Sequence, residues 1–194
     1  MSLFTLNRSG GPHDLELSMA GLKLGKYVLQ VDGGDGGLIA ALAGVVGLSG
    51  QACAVVESQA DVAVFERAAA RAGVLVEIKV SEYTALPYDS GTFDLAVLKQ
   101  TLGQMSPLPR VRCLQEVFRV LKVGGRCLVI DAAMRGGMAA IFSRQSVNAR
   151  YAEDGPRKAL KEEGFFGVRF LAERNGLTFV EGTKPADTES KTAS

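Results

Sequence analysis

Tyr27-Val28-Leu29-Gln30-Val31-Asp32-Gly33-Gly34-Asp35-Gly36-Gly37 is a mostly apolar run that breaks into glycines, and Leu38-Ile39-Ala40-Ala41-Leu42-Ala43 then resumes with helical spacing. A strand feeding a glycine turn and a helix brings bare backbone amides to the helix N-terminus, where the missing Cβ atoms let a ligand approach closely. Such a turn points to a nucleotide-like ligand, yet two or three glycines also serve turn geometry alone. The remainder of the chain has to decide between the two.

Outward from this stretch, strands are expected at 27–31, 52–56, 74–80, 93–98 and 126–130, separated by helices at 36–46, 61–72 and 110–121. The strands are largely apolar, as parallel strands covered on both faces must be. The helices carry single stripes, such as Val111, Leu114, Val117, Phe118 and Leu121. A short helix from Asp14 precedes them, after a loose lead-in that ends at Gly10-Gly11-Pro12. This β-α alternation predicts a doubly wound, Rossmann-like α/β fold with a mostly parallel sheet in three αβα layers.

Past Asp131 the alternation weakens. Residues 134–151 are expected to fold over the carboxyl edge as a lid, with Gly136-Gly137 as the hinge. A helix over 156–163 opens on Pro156. Strands at 168–172 and 177–181, joined across Arg174-Asn175-Gly176, read as an antiparallel hairpin. The expected organisation is a lead-in and covering helix over 1–24, one domain over 25–183, and a disordered polar tail over 184–194.

The bulk properties exclude several classes. A chain of 194 residues with 47% hydrophobic and 22% charged side chains is globular and fits one domain. A net charge of +1 leaves no electrostatic footprint for nucleic acid. The basic residues Arg144, Arg150, Arg157, Lys158 and Lys161 are interleaved with Glu153, Asp154, Glu162 and Glu163, which makes a solvated surface. Cys53, Cys113 and Cys127 are odd in number, widely spaced and set in apolar runs, so they read as reduced, buried hydrophobes. The single histidine, His13, cannot build a metal cluster with them and is expected outside the sheet as an exposed or capping residue. The most apolar run, 38–48, is about half the ~20 residues a membrane span needs. Polar residues stand where a signal peptide would be apolar, so a soluble, cytoplasmic protein is expected.

In doubly wound sheets ligands bind beyond the carboxyl ends of the strands. Those ends carry the glycine turn after the first strand, Glu57 after the second, Glu82 after the third, and Lys99-Gln100 after the fourth. An acid at the end of the second strand, roughly 20 residues past the glycines, is placed to accept hydrogen bonds from ribose hydroxyls.

Three segments together carry a family likeness: 28–43, Leu86-Pro87-Tyr88-Asp89-Ser90-Gly91-Thr92-Phe93-Asp94-Leu95-Ala96-Val97, and Leu114-Gln115-Glu116-Val117-Phe118-Arg119-Val120-Leu121-Lys122-Val123-Gly124-Gly125-Arg126. The chain resembles the class I S-adenosylmethionine-dependent methyltransferases, in the type 11 or ubiquinone/menaquinone-biosynthesis-like group. The resemblance covers about 22–131 and, more loosely, the hairpin, which fits the family's reversed seventh strand in a seven-stranded sheet.

It implies S-adenosylmethionine as cofactor, with Asp32, Gly33, Gly34, Asp35 and Gly36 around the methionine moiety and Glu57 on the ribose. Ser58 and Gln59 would lie along the adenosine, Glu82 would face the adenine amino group, and Tyr83 would flank the ring. Lys99 and Gln100 would floor the pocket near the methyl group and are the positioning candidates. The family usually has an acid at Gln30, counted here with the cofactor residues, and a glycine at Asp32. Lys99 brings a positive charge toward a sulfonium, which is unfavourable unless the side chain snorkels away or pairs with an acid.

The segment Lys99-Gln100-Thr101-Leu102 lacks the Asn-Pro-Pro-aromatic signature of amino-group methyltransferases, so the expected acceptor is a small molecule and not nucleic acid. The oligomeric state, a homodimer included, is left open. Two other functions compete. One is a degenerate methyltransferase fold serving as a binding or scaffold module. The other is a nicotinamide-linked dehydrogenase, which would want a Tyr-Lys or His-based proton handler.

Overall fold

The computed structural model describes residues 11–31, 34–133 and 149–186. Seven strands form one sheet in the order β3-β2-β1-β4-β5-β7-β6. The strands are β1 (Tyr27–Val31), β2 (Gln51–Val56), β3 (Glu77–Val80), β4 (Phe93–Lys99), β5 (Leu121–Ala132), β6 (Phe166–Arg174) and β7 (Leu177–Thr183). The first five run parallel, and β7 lies antiparallel between β5 and β6.

Among the described residues the sheet is joined by helices α1 (Asp14–Ala20), α2 (Gly37–Val46), α3 (Gln59–Ala72), α4 (Pro107–Val120) and α5 (Ala149–Glu162), with one short 3-10 turn at Leu102–Gln104. The alternation of side chains along each strand divides the core in two. Val28, Ala54, Leu95, Val97 and Leu128 pack toward α2 and Phe65 of α3, with Ala20 of α1 in the same layer. Leu29, Val55, Ala96, Leu98 and Val129 pack toward α4 and Leu160 of α5. Both faces are buried along β1, β2 and β4, which is why those strand sequences lack a polar side. The three-layer doubly wound fold is the expected one.

The last two segments of the likeness meet in space. The Glu116 carboxylate on α4 accepts the Leu86 N–H at 2.8 Å, and Arg119 donates to the Tyr88 and Leu86 carbonyls at 2.8 and 3.0 Å. Arg119 is also paired with Glu116 at 2.8 Å. One helix thus clamps the loop that enters β4, and the two segments act as one unit.

Several boundaries differ from the sequence reading, each for a physical reason. β3 starts at Glu77, because the Val74 N–H caps α3 through the Ala69 carbonyl at 3.1 Å. Helix α4 begins at Pro107 with Ser106 as its N-cap residue, so the prolines stand inside the first turn, where their missing N–H groups cost little. β5 begins before the glycines. Phe93 faces Leu121 while Leu95 faces Arg126, so the extra residues bulge around Gly124, whose φ is +74°. Helix α5 starts at Ala149 and holds Pro156 in its interior.

Lys184, the first residue of the expected tail, is tied to the sheet: its N–H donates to the Gly125 carbonyl at 2.8 Å. The hairpin turn is the expected Asn-Gly pair, with φ of +54° at Asn175 and +74° at Gly176, as a type I′ turn requires. The lid segment lies outside the described residues as far as 148, and so do the lead-in to residue 10 and the tail from 187. Among the described residues no helix is long and apolar enough to cross a membrane.

Candidate functional site

The parallel strands end together. Val31 of β1 is in register with Val55 of β2 and Leu98 of β4, and Val56 of β2 with Val80 of β3. Glu57, Glu82, Lys99 and the glycine turn therefore lie along one sheet edge, with the turn between Glu57 on one side and Lys99 on the other.

Within the turn, Asp32 and Gly33 lie outside the described residues. Gly34 and Asp35 are exposed. The Asp35 carboxylate accepts the Gly37 N–H at 2.9 Å and closes the first turn of α2. Gly36 is buried at φ +74°, and a Cβ there would stand 2.8 Å from the Phe65 Cα. Its absence of a side chain lets α2 and α3 meet. Gln30 is buried in β1, at 2% exposure.

Glu57 and Glu82 both face solvent. Glu82 accepts a hydrogen bond from the Thr84 hydroxyl at 3.1 Å. Ser58 is the N-cap residue of α3, its Oγ accepting the Asp61 N–H at 3.3 Å and donating to the Asp61 carboxylate at 2.6 Å. Gln59 opens α3 on the exposed side. Tyr83 is buried in the α4-side core with Leu86 and Cys53.

Lys99 ends β4 and meets an acid the sequence reading did not assign to the site. Its Nζ lies 3.1 Å from Oε1 of Glu16 in α1, a buried carboxylate. His13 Nδ1 lies 3.5 Å from the same oxygen, and a Cβ on Gly37 would stand 2.6 Å from His13 Nε2. His13 does occupy the N-cap position of α1, but without a side-chain cap bond, and its mostly covered ring packs on the glycine turn, not away from the sheet. Burial pushes the Glu16 carboxyl up, but its own backbone N–H and the Lys99 ammonium outweigh this and hold it below the usual range. The pairing spans 83 residues and leaves no local signal in the sequence.

Beyond Lys99 the chain turns sharply. Gln100 is exposed and adopts φ +55°, a conformation that costs a non-glycine residue about 1–2 kcal/mol. Thr101 Oγ1 donates to the Val31 and Lys99 carbonyls at 2.8 and 3.2 Å, which fastens the end of β4 to the end of β1 beside the glycines.

The cysteines take no part. All three are free and buried, and burial pushes the Cys53 and Cys113 thiols up to about 12, far from a thiolate at neutral pH. Among the described residues no cluster of metal-ligating side chains forms. A cavity of about 460 Å³, lined in part by Val46, Leu48 and Leu75, opens at the amino edge, away from these residues.

The methyltransferase-domain family profile matches residues 28–125, half of the chain. The chain belongs to the class I S-adenosylmethionine-dependent methyltransferases. The ubiquinone/menaquinone biosynthesis C-methyltransferase UbiE of Hydrogenovibrio crunogenus is 31% identical over 130 residues, 66% of this chain and 50% of that protein. UbiE of a Marinomonas species is 30% identical over 129 residues, 63% of this chain and 51% of its own. This methyltransferase-family chain therefore spans about half the length of the curated relatives it matches.

In structure, a SAM-dependent methyltransferase from Aquifex aeolicus superposes with a TM-score of 0.72 at 24% identity, over 89% of this chain and 93% of that one. The [4+2]-cyclase SpnF superposes with a TM-score of 0.69 at 19% identity, over 89% and 79%. Both likenesses establish the shared methyltransferase fold. The profile begins at Val28, at the start of the first strand, so Glu16 lies outside the matched region.

Proposed function

We propose that the chain transfers a methyl group from S-adenosylmethionine to a small molecule by direct in-line displacement, with the cofactor lying along the carboxyl edge over β3, β2, β1 and β4. The observation that carries this reading is the alignment at one edge of the glycine turn, the exposed carboxylates Glu57 and Glu82, and a lysine already paired with an acid. The donor and acceptor chemistry fits the cofactor. Carboxylates accept hydrogen bonds from ribose hydroxyls and from an adenine amino group, and unhindered amide N–H groups at a helix start donate to a ligand carboxylate.

Bound there, the cofactor supplies an already activated methyl group as a sulfonium. Glu57 would hold the ribose, with Ser58 and Gln59 along the adenosine, Glu82 on the adenine amino group and Tyr83 flanking the ring from the core side. Asp32, Gly33, Gly34, Asp35 and Gly36 would wrap the methionine moiety, with Gln30 beneath them. Lys99 and Gln100 would hold the acceptor against the methyl group, and in favourable cases such positioning contributes about 7–11 kcal/mol. No general base is required. A net charge of +1 favours a small acceptor over nucleic acid, and three buried free cysteines suit a reducing, cytoplasmic setting.

Thermal shift tests the reading. S-adenosylmethionine at a hundredfold excess over its Kd adds about 2.7 kcal/mol, which raises the melting temperature by about 5–10 °C. No shift at millimolar cofactor, together with no calorimetric heat, overturns it. A second reading, a degenerate methyltransferase fold serving as a non-catalytic binding or scaffold module, is supported by a neutral Gln30 where the family usually has an acid. It predicts no transfer of labelled methyl to any small molecule in a cell extract, whether or not the cofactor shifts the melting temperature.

A further inference from the structure

We infer that Glu16 of α1 sets the charge at the methyl end of the cofactor edge, so that the site accepts the cationic sulfonium donor as readily as its neutral thioether product. This rests on the reading of the edge as an S-adenosylmethionine site. Lys99 stands on the opposite side of the glycine turn from Glu57, and Thr101 fixes its backbone next to the end of β1. An unpaired ammonium there would repel a sulfonium in a partly desolvated place, where screening by water is weakened.

The acid that neutralises it comes from outside the sheet. Glu16 Oε1 is 3.1 Å from Lys99 Nζ, with the Glu16 side chain 8% exposed, and it is the acid that Lys99 pairs with among the described residues. His13, one turn earlier on α1, packs against Gly37, so the helix carrying Glu16 is seated on the glycine turn itself. Glu16 is accordingly a positioning residue. It acts through Lys99 on the charge the cofactor meets, and a simple staple between α1 and β4 would have no preference between the two ligands.

Calorimetric titration of S-adenosylmethionine and S-adenosylhomocysteine into the native chain, Glu16→Gln, Lys99→Met and the double variant separates these roles. Glu16→Gln should weaken the sulfonium relative to the thioether by about tenfold, the size expected for one uncompensated charge a few ångströms away. Lys99→Met leaves a lone carboxylate and should shift the ratio the opposite way, and the double variant should return it toward native. Binding of both ligands at the same ratio in all four proteins overturns this inference alone. A native chain that binds neither ligand overturns the functional reading and this inference together.

Discussion

The two ends of the parallel strands use charge in opposite ways. At the amino end, Asp94 at the start of β4 gathers Lys26 at 2.9 Å, Lys122 at 2.9 Å and the Tyr27 N–H at 3.0 Å, so that one carboxylate stitches β1, β4 and β5 together. At the carboxyl end, Glu57 and Glu82 stand exposed just past the ends of the neighbouring strands β2 and β3, and Lys99 is held by an acid from a helix. The first end consumes its charges in stitching strands together. The second leaves acids facing outward while its glycines pack the layers closely. Neither Glu57 nor Glu82 ties one strand to another as Asp94 does, which leaves this edge less stitched than the amino one.

Three changes would break or sharpen that contrast. The largest effect belongs to the packing under the carboxyl edge. Gly36→Ala forces a side chain into a positive-φ position and places its Cβ 2.8 Å from the Phe65 Cα, so it should cost about 3 kcal/mol or more, read as a lower denaturant midpoint. A midpoint within error of native would mean that α2 and α3 do not meet at this turn.

The amino edge comes next. Burial alone would raise the Asp94 carboxyl, but Lys122, the Tyr27 N–H and Lys26 bring it from 3.8 down to about 2. Because the folded value is the lower one, Asp94 contributes stability above about pH 4 and loses it as the pH falls toward 2. Asp94→Asn should therefore cost about 1 kcal/mol at neutral pH, a figure kept small because both lysines are nearly half exposed, and should match native near pH 2. Urea unfolding across that range checks it, and a difference that persists at pH 2 would point to lost packing and not lost charge.

The smallest effect on stability is at Glu57. Glu57→Gln should leave the midpoint within about 0.5 kcal/mol of native while weakening S-adenosylmethionine about tenfold by calorimetry. A large loss of stability would make this acid a stitching residue like Asp94.

Local signals in the sequence carried most of the fold and, of the candidate site, the placing of its residues at the strand ends. The first strand is bounded correctly because an apolar run meets glycines at Val31. The hairpin is legible because Asn175 and Gly176 are the residues a tight turn demands. Where boundaries moved, a residue had two roles: Val74 caps a helix while looking like strand, and Pro107 starts a helix while looking like loop. The positions of Glu57 and Glu82 at strand ends followed from topology alone. The charge of Lys99 left two outcomes open, snorkelling away or pairing with an acid, and neither the choice nor the identity of the acid was legible, because Glu16 reaches Lys99 only through the docking of α1. Tertiary pairing of that kind has no period to detect.

The antiparallel strand β7 sits between β5 and β6, and its ladder to β5 runs from Leu177 to Thr183. During synthesis, β5 can pair with β4 on one side as soon as both exist, but its other edge has no partner until the hairpin emerges some fifty residues later. An unpaired apolar edge that must wait for distant sequence is slow to close and open to wrong pairing. The burial of Phe179 and Val180 against β5 thus ties completion of the sheet to the last part of the domain made. A chain interrupted before the Asn175-Gly176 turn would hold Glu57, Glu82 and Lys99 on a sheet that cannot yet seal.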